Sequence, residues 1–300
     1  MPDRAFRTLA EGGAYFEGPR WRDGKWWVSD MYRHAVFSVT PDGAETEVVH
    51  VEGQPSGLGW LPDGSLLVAS MRDHRLLRRD PDGTMTVHAD LSAVCTGLLN
   101  DLVVDHQGRA WVGDFGFDLY AFDDPVTTSL KRVDPDGSLT IAARDLIFPN
   151  GTVITPDGRT LIVGETLGNR YTSFHVADDG SLQERAVWAQ LGPEVELGDA
   201  MTTLGQLRVA PDGCTLDAEN RIWVADGIGG RCIRVAQGGE IVYEVKPPGG
   251  LGVFACALGG ESGTTLLLCC APDYFENNRR EAREAVLITT EVSVPHAGLP

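Results

Sequence analysis

The sequence predicts an all-β protein, a six-bladed β-propeller, on three observations. Six segments of one form recur along its 300 residues. Hairpins with the same turn chemistry lie between them. The leading position is an oxygen-bearing side chain in five of the six segments.

The first repeat is "EGPRWRDGKWWVSD" from Glu17, in which an Asp23-Gly24 turn joins two apolar runs. "SGLGWLPDGSLLVAS" from Ser56 and "NDLVVDHQGRAWVGD" from Asn100 keep the form. So do "NGTVITPDGRTLIVGE" from Asn150, "DGCTLDAENRIWVAD" from Asp212 and, more loosely, "FACALGGESGTTLLLCC" from Phe254. Their spacing, roughly 40 to 60 residues, suits propeller blades with loops of unequal length. Between them stand "AVFSVTPDGAETEVVH", "RLLRRDPDGTMTVHAD" and "SLKRVDPDGSLTIAAR". Alternating apolar residues around Asp-Gly mark a hairpin, because glycine takes the positive φ of the turn. Each repeat then supplies about four antiparallel strands, and six such sheets packed radially bury faces that one sheet cannot. Ring closure is expected from "RAFRTLAE" joining the last blade beside "EAVLITTEV". Residues 1–300 thus form a single domain, with rim loops at about 115–130 and 190–208. The one helical candidate is a short charged stretch near "YFENNRREAREAV".

Composition narrows the partners. The formal net charge is −18, which repels phosphate backbones and anionic lipid, so neither nucleic acid nor membrane is expected. A small-molecule substrate and a monomer or small homo-oligomer are the expected states. No apolar run reaches the length of a membrane span, and the start lacks a signal peptide's apolar region, which points to the cytoplasm. Six cysteines without C-x-x-C spacing read as reduced core residues.

Equivalent positions of a propeller surround its axis. Glu17, Ser56, Asn100, Asn150, Asp212 and Phe254 therefore ring the channel at one mouth. Carboxylates and amides heading apolar strands are poorly solvated unless something satisfies them, and a divalent cation is the economical answer. Hard oxygen donors suit Ca²⁺, Mg²⁺ or Mn²⁺ better than structural zinc, and an open site also accepts Zn²⁺ or Fe²⁺. The loops after the second strands return to the same mouth. They make Tyr32, His34, Met71, Arg72, His74 and Arg231 candidates for a pocket wall, Arg72 and Tyr32 foremost. There is no G-x-S-x-G elbow, P-loop or dinucleotide fingerprint.

Four stretches in order, "FEGPRW", "NDLVVDHQGRAWVGD", "PNGTVITPDGRTLIV" and "PDGCTLDAENRIWVAD", resemble the SMP-30/gluconolactonase/LRE (regucalcin-like) family from about residue 15 to 270. The resemblance implies an axial divalent metal held by Glu17, Asn150 and Asp212, with Asn100 as a fourth polar group. Many members hydrolyse lactones, and Asp212 matches the residue that serves there as ligand and general base. Two departures alter the expected pocket. Leu98 in "LLND" stands where sugar-lactonase members carry arginine, and "DFGFD" replaces a stretch with an acidic residue. A pocket edged by Leu98, Phe115 and Phe117 favours a substrate less hydroxylated than gluconolactone. The expected reaction is metal-assisted opening of a cyclic ester, with Asp212 as base and Asn100 donating to the oxyanion. The ring also resembles the calcium site of phosphotriesterase-like propellers. A phosphotriesterase, a metal-dependent lyase or isomerase, and a non-catalytic ligand-binding propeller remain open alternatives.

Overall fold

The computed structural model describes residues 5–298. Residues 1–4 and 299–300, the first residue of "RAFRTLAE" and both ends of the expected 1–300 domain among them, lie outside the described residues. The Pro-Asp-Gly turns form as their chemistry requires. At 62–64, Gly64 adopts φ 89° and its amide donates to the Leu61 carbonyl at 2.9 Å, while Leu61 N–H donates to Ser65 O at 2.9 Å. The same tripeptide at Pro211-Asp212-Gly213 is instead extended, inside the strand Pro211–Leu216. There a Cβ on Gly213 would strike Ala255 of the neighbouring blade. Local turn preference yields to close packing at the axis.

The described strands make six four-stranded sheets, each a meander running outward from the axis. The first comprises Phe16–Arg22, Lys25–Asp30, Ala35–Val39 and Glu45–His50. The innermost strands of the next four are Pro55–Trp60, Leu99–Val104, Pro149–Ile154 and Pro211–Leu216. The sixth sheet orders Gly252–Gly259, Thr265–Ala271, Ala285–Glu291 and, outermost, the N-terminal Arg7–Gly13, paired antiparallel with Arg7 opposite Thr289. Chain ends joined in one sheet close the ring, which a meander alone would leave open.

Side chains that alternate along each strand fill two different gaps between blades, so both faces are buried. In the third blade Ala110 and Val112 pack with Leu67 and Leu102, whereas Trp111 between them packs with Leu161 and Phe174 of the fourth. The inner strands are therefore almost wholly buried and the outermost strands, such as Glu45–His50, are largely exposed. Among the described residues, two short α-helices depart from the propeller. Helix α1, Ala200–Gly205, lies in the long stretch before the fifth blade, and α2, Glu276–Ala282, realises the charged candidate. No helix among the described residues is long and apolar enough to cross a membrane.

Candidate functional site

Glu17, Ser56, Asn100, Asn150 and Asp212 each occupy the second position of an innermost strand. Phe254 takes the third position of the sixth. A break in register follows at the same place in every blade: between Glu17 and Arg20, Pro55 and Leu58, Leu99 and Leu102, Pro149 and Thr152, Pro211 and Cys214, and Val253 and Ala255. A bulge releases a residue from the ladder and re-aims its side chain. Repeated around the axis, it turns these side chains into the channel mouth. Gly151 follows Asn150 because a Cβ there would run into the Asp212 carbonyl, so the strands carrying these two residues approach closely.

A second set of acids, which sequence reasoning did not single out, holds the approach to these strands. The second strand of four blades ends in Asp30, Asp114, Glu165 or Asp226, each with no solvent exposure. Asp30 accepts hydrogen bonds from the backbone of Ala14 (2.9 Å) and Tyr15 (3.0 Å), just ahead of Glu17. Glu165 accepts from Ile147 N (2.8 Å) ahead of Asn150, and Asp226 from Ala210 N (3.2 Å) ahead of Asp212. Cations neutralise them: Lys131 pairs with Asp114, Arg170 with Glu165 (2.8 Å) and Arg231 with Asp226 (2.9 Å). Arg231, a candidate for the pocket wall, is thus drawn away by its carboxylate. The signal was visible as an acid closing four of the repeats, "VSD", "VGD", "VGE" and "VAD".

Asn150, Asp212, Asn100 and Glu17 meet in one cavity of about 100 Å³. Asn150 Nδ2 donates to Asp212 Oδ1 at 2.7 Å and to Thr166 Oγ1 at 3.1 Å. Thr166 spends its own proton on Pro211 O (2.7 Å), so the Asn150 amide is oriented with its nitrogen toward these acceptors. Asn100 Nδ2 faces Pro149 O at 3.4 Å, and Gly18 N donates to Glu17 Oε2 at 2.9 Å. Glu17 Oε1 and the Oδ1 atoms of Asn100 and Asn150 accept no hydrogen bond from the described residues. Asn100 therefore offers an acceptor oxygen and keeps a second N–H beyond its 3.4 Å contact with Pro149 O.

Electrostatics sharpen this picture. Burial, then the nearby Asp212 charge, raises the Glu17 carboxyl well above its ordinary range. Burial pushes Asp212 up to about 8 against the opposing hydrogen bond from Asn150, and Asp101 adds repulsion. Two carboxyls are thus forced together in an apolar setting, where each favours its neutral form. Among the described residues no group of three or more His, Cys, Asp or Glu side chains is placed to hold a metal. The axial set contains two carboxylates and draws its other oxygens from amides, a donor set that fits a hard divalent cation.

The cavity wall is apolar and aromatic, with Tyr15, Phe115, Tyr120, Phe148, Phe254 and Tyr274 prominent. Leu119 and Tyr120 come from the first expected rim loop, and Leu204 and Leu207 from the second. Leu98 and Phe117 stand behind this wall. The Leu98 carbonyl accepts from Phe115 N (3.0 Å), and Phe117 packs edge-on against Phe148, their ring centres 5.9 Å apart. Tyr32 also sits behind it, donating to Tyr274 O at 2.5 Å, with its hydroxyl 3.2 Å from that of Tyr120. Arg72 donates to Gln54 Oε1 (2.8 Å) and Glu276 Oε2 (2.7 Å), tying α2 to the rim. His34 faces the Glu52 carbonyl (2.9 Å), and Met71 is buried in the core. Sequence reasoning missed Tyr15 and Tyr274. Tyr15 is held where Asp30 fixes its amide, and nothing in the repeat pattern marks the position before Phe16.

A family model described as "SMP-30/Gluconolactonase/LRE-like region" matches residues 16–271, every inner strand included. The chain belongs to the SMP-30/gluconolactonase/LRE-like family. Within and around this family, lactonase drp35 of Staphylococcus aureus is 23% identical over 252 residues, covering 80% of this chain and 72% of that protein. A regucalcin from Agrobacterium tumefaciens, described as a calcium-binding protein, superposes with a TM-score of 0.78 at 22% identity, over 99% of this chain and 97% of its own. A gluconolactonase from Xanthomonas campestris superposes with a TM-score of 0.72 at 22% identity, over 98% and 91%. These similarities to solved structures show a shared fold. What the SMP-30/gluconolactonase/LRE-like chain described here does follows from its own site.

Proposed function

We propose that this protein is a divalent-metal-dependent lactonase that opens a cyclic ester less hydroxylated than gluconolactone. The carrying observation is the convergence of Glu17, Asn100, Asn150 and Asp212, with three oxygens that accept no hydrogen bond among the described residues, in an otherwise apolar cavity. Lactonase names among the relatives support the reaction class. The cation would be held by these four residues, and hard oxygen donors favour Ca²⁺, Mg²⁺ or Mn²⁺ over Zn²⁺ or Fe²⁺. When bound, such an ion supplies a Lewis acid that polarises a carbonyl and lowers the pKa of water.

The chain's own groups do the rest. Asp212 accepts the proton of the attacking water, and Asn150 orients it through the 2.7 Å hydrogen bond to Oδ1. Tyr15 stands beside Asn100 as a second donor. Burial and the charges of Glu17 and Asp212 raise its phenol well above the ordinary value, so the hydroxyl stays protonated beside the reacting atoms. It donates to the oxygen on which negative charge develops. The aromatic wall excludes bulk water and accepts an apolar substituent on the ring. Partners are small molecules, with neither nucleic acid nor membrane among them, and the chain works in the cytoplasm as a monomer or small homo-oligomer. The six free thiols, five of them buried, suit that compartment.

A panel of γ- and δ-lactones tests the substrate class. Alkyl- or aryl-substituted rings should exceed gluconolactone in kcat/KM by roughly ten-fold or more, about the worth of two or three buried methylenes. Preference for the sugar lactone would overturn the class. Turnover of a phosphotriester alone, of an elimination substrate alone, or of nothing despite metal binding would replace the reaction with one of its three alternatives.

A further inference from the structure

The six inner strands share a second mouth, opposite the site just described. A cavity of about 340 Å³ opens there, lined from the later residues of every innermost strand and their first turns, and by Ala297 and Gly298. That volume lies within the range of small-molecule pockets. Its walls combine Trp21, Trp60 and Ile154 with four basic or acidic residues: Arg20, Arg22, Asp105 and His106.

Those residues are unequal in what they can still bind. Asp105 is enclosed and largely spent: its side chain is unexposed, Arg109 Nε donates to it at 2.6 Å, and the amides of Gln107 and Arg109 at 2.9 and 3.0 Å. Arg20 is only 7% exposed. It donates to Pro19 O, Asp101 Oδ1 and Leu102 O, yet its Nε has no partner. Arg22 lies 5.0 Å over the Trp60 ring, and its sole ion-pair partner among the described residues is Asp23, 78% exposed at 3.4 Å. A solvated pair of that kind contributes little and is readily exchanged. Apart from the enclosed Asp105, the charged or basic lining groups are therefore hydrogen-bond donors, in a chain of net charge −18. Two indole rings stand beside them.

We infer that this opposite mouth binds a small organic anion, a carboxylate with a flat apolar body. Arg22 and His106 would meet the carboxylate while Trp21 and Trp60 pack against the body. Arginine matches a carboxylate with two parallel donors, and the indoles provide apolar contact area. The site is independent of the axial carboxylates and of any metal there.

Tryptophan emission of the full chain in chelator reports binding, with benzoate as the probe and benzyl alcohol as its uncharged counterpart. Benzoate should give a saturable change, weakened by added salt, while benzyl alcohol binds at least ten-fold more weakly. Arg22→Gln should weaken benzoate roughly ten-fold, as loss of a charge-assisted hydrogen bond does, at an unchanged melting temperature. Asp212→Ala should leave it unaltered. No saturable change at millimolar benzoate, or equal binding of the alcohol, would overturn the inference. So would binding indifferent to Arg22→Gln, and binding lost in Asp212→Ala would reassign the anion to the axial cavity.

Discussion

Asp212→Asn separates the two roles that the axial carboxylate plays, because the same residue strains the metal-free protein and completes the cation site. Without a cation, its folded pKa of about 8 stands well above an unfolded value of about 3.9. The sign follows from proton binding. The folded state holds the proton more tightly, so stability is greatest below about pH 4 and falls as pH rises toward 8. At pH 7 the gap is about three pH units, which at 1.4 kcal/mol per unit costs roughly 4 kcal/mol. Asparagine keeps the shape and can still accept from Asn150 while removing the charge. Its own desolvation consumes part of the gain, leaving an expected rise of about 2–4 kcal/mol in chelator. For a chain of this length, that is roughly 3–6 °C in melting temperature. A cation at 100 times its dissociation constant stabilises the wild type by about 2.7 kcal/mol, or roughly 4 °C, and should leave the variant nearly unmoved.

Thermal melts of both proteins, with chelator and with saturating Ca²⁺ or Mn²⁺, should therefore respond differently to metal. At pH 8 the variant is the more stable in chelator; with metal the wild type gains and the variant does not. At pH 5 the chelator gap should narrow, because protonating the carboxyl then costs only about 1.5 kcal/mol. Equal stabilisation of both proteins by metal, or a variant less stable than wild type in chelator at pH 8, would refute the reasoning.

Three further outcomes follow from the geometry. Glu17→Gln should remain folded but bind metal roughly 100-fold or more weakly, since even outer partners of metal ligands are worth 10- to 100-fold; isothermal titration measures it. Tyr15→Phe keeps the ring packing and should lower kcat roughly 100-fold with KM little changed, in steady-state assays on the best lactone. Asp226→Ala removes the acceptor for Ala210 N and the partner of Arg231, and should cost about 3 kcal/mol, read as a fall of roughly 5 °C in calorimetry, with weaker metal binding because Asp212 loses its brace.

The propeller was legible because its evidence is repeated: period-2 runs, Asp-Gly turns and one oxygen-bearing position recurring in register. The four cavity oxygens followed from that register, since equivalent places in a ring converge whatever the loops do. Pro-Asp-Gly shows where local chemistry ran out. Five copies make turns and the sixth is a strand bearing Asp212, because contact with Ala255 outweighs turn preference. The pocket wall was less legible for a related reason. Tyr32 and Arg72 sit on loops that reach the correct mouth, but their polar ends find Tyr274, Tyr120, Gln54 and Glu276 first. Such pairings join residues up to 242 positions apart, and no local pattern encodes them. The orientation of the Asn100 amide likewise depends on a carbonyl from the next blade.

Metal-dependent turnover tests the central claim most directly. Protein stripped with chelator would receive Ca²⁺, Mg²⁺, Mn²⁺, Zn²⁺ or Fe²⁺ singly while proton release from an aryl-substituted γ-lactone is followed. The account predicts hydrolysis that returns with at least one of these ions and is absent from Asp212→Ala under the same conditions. Tight metal binding without hydrolysis of any lactone, or full activity in chelator, would contradict it.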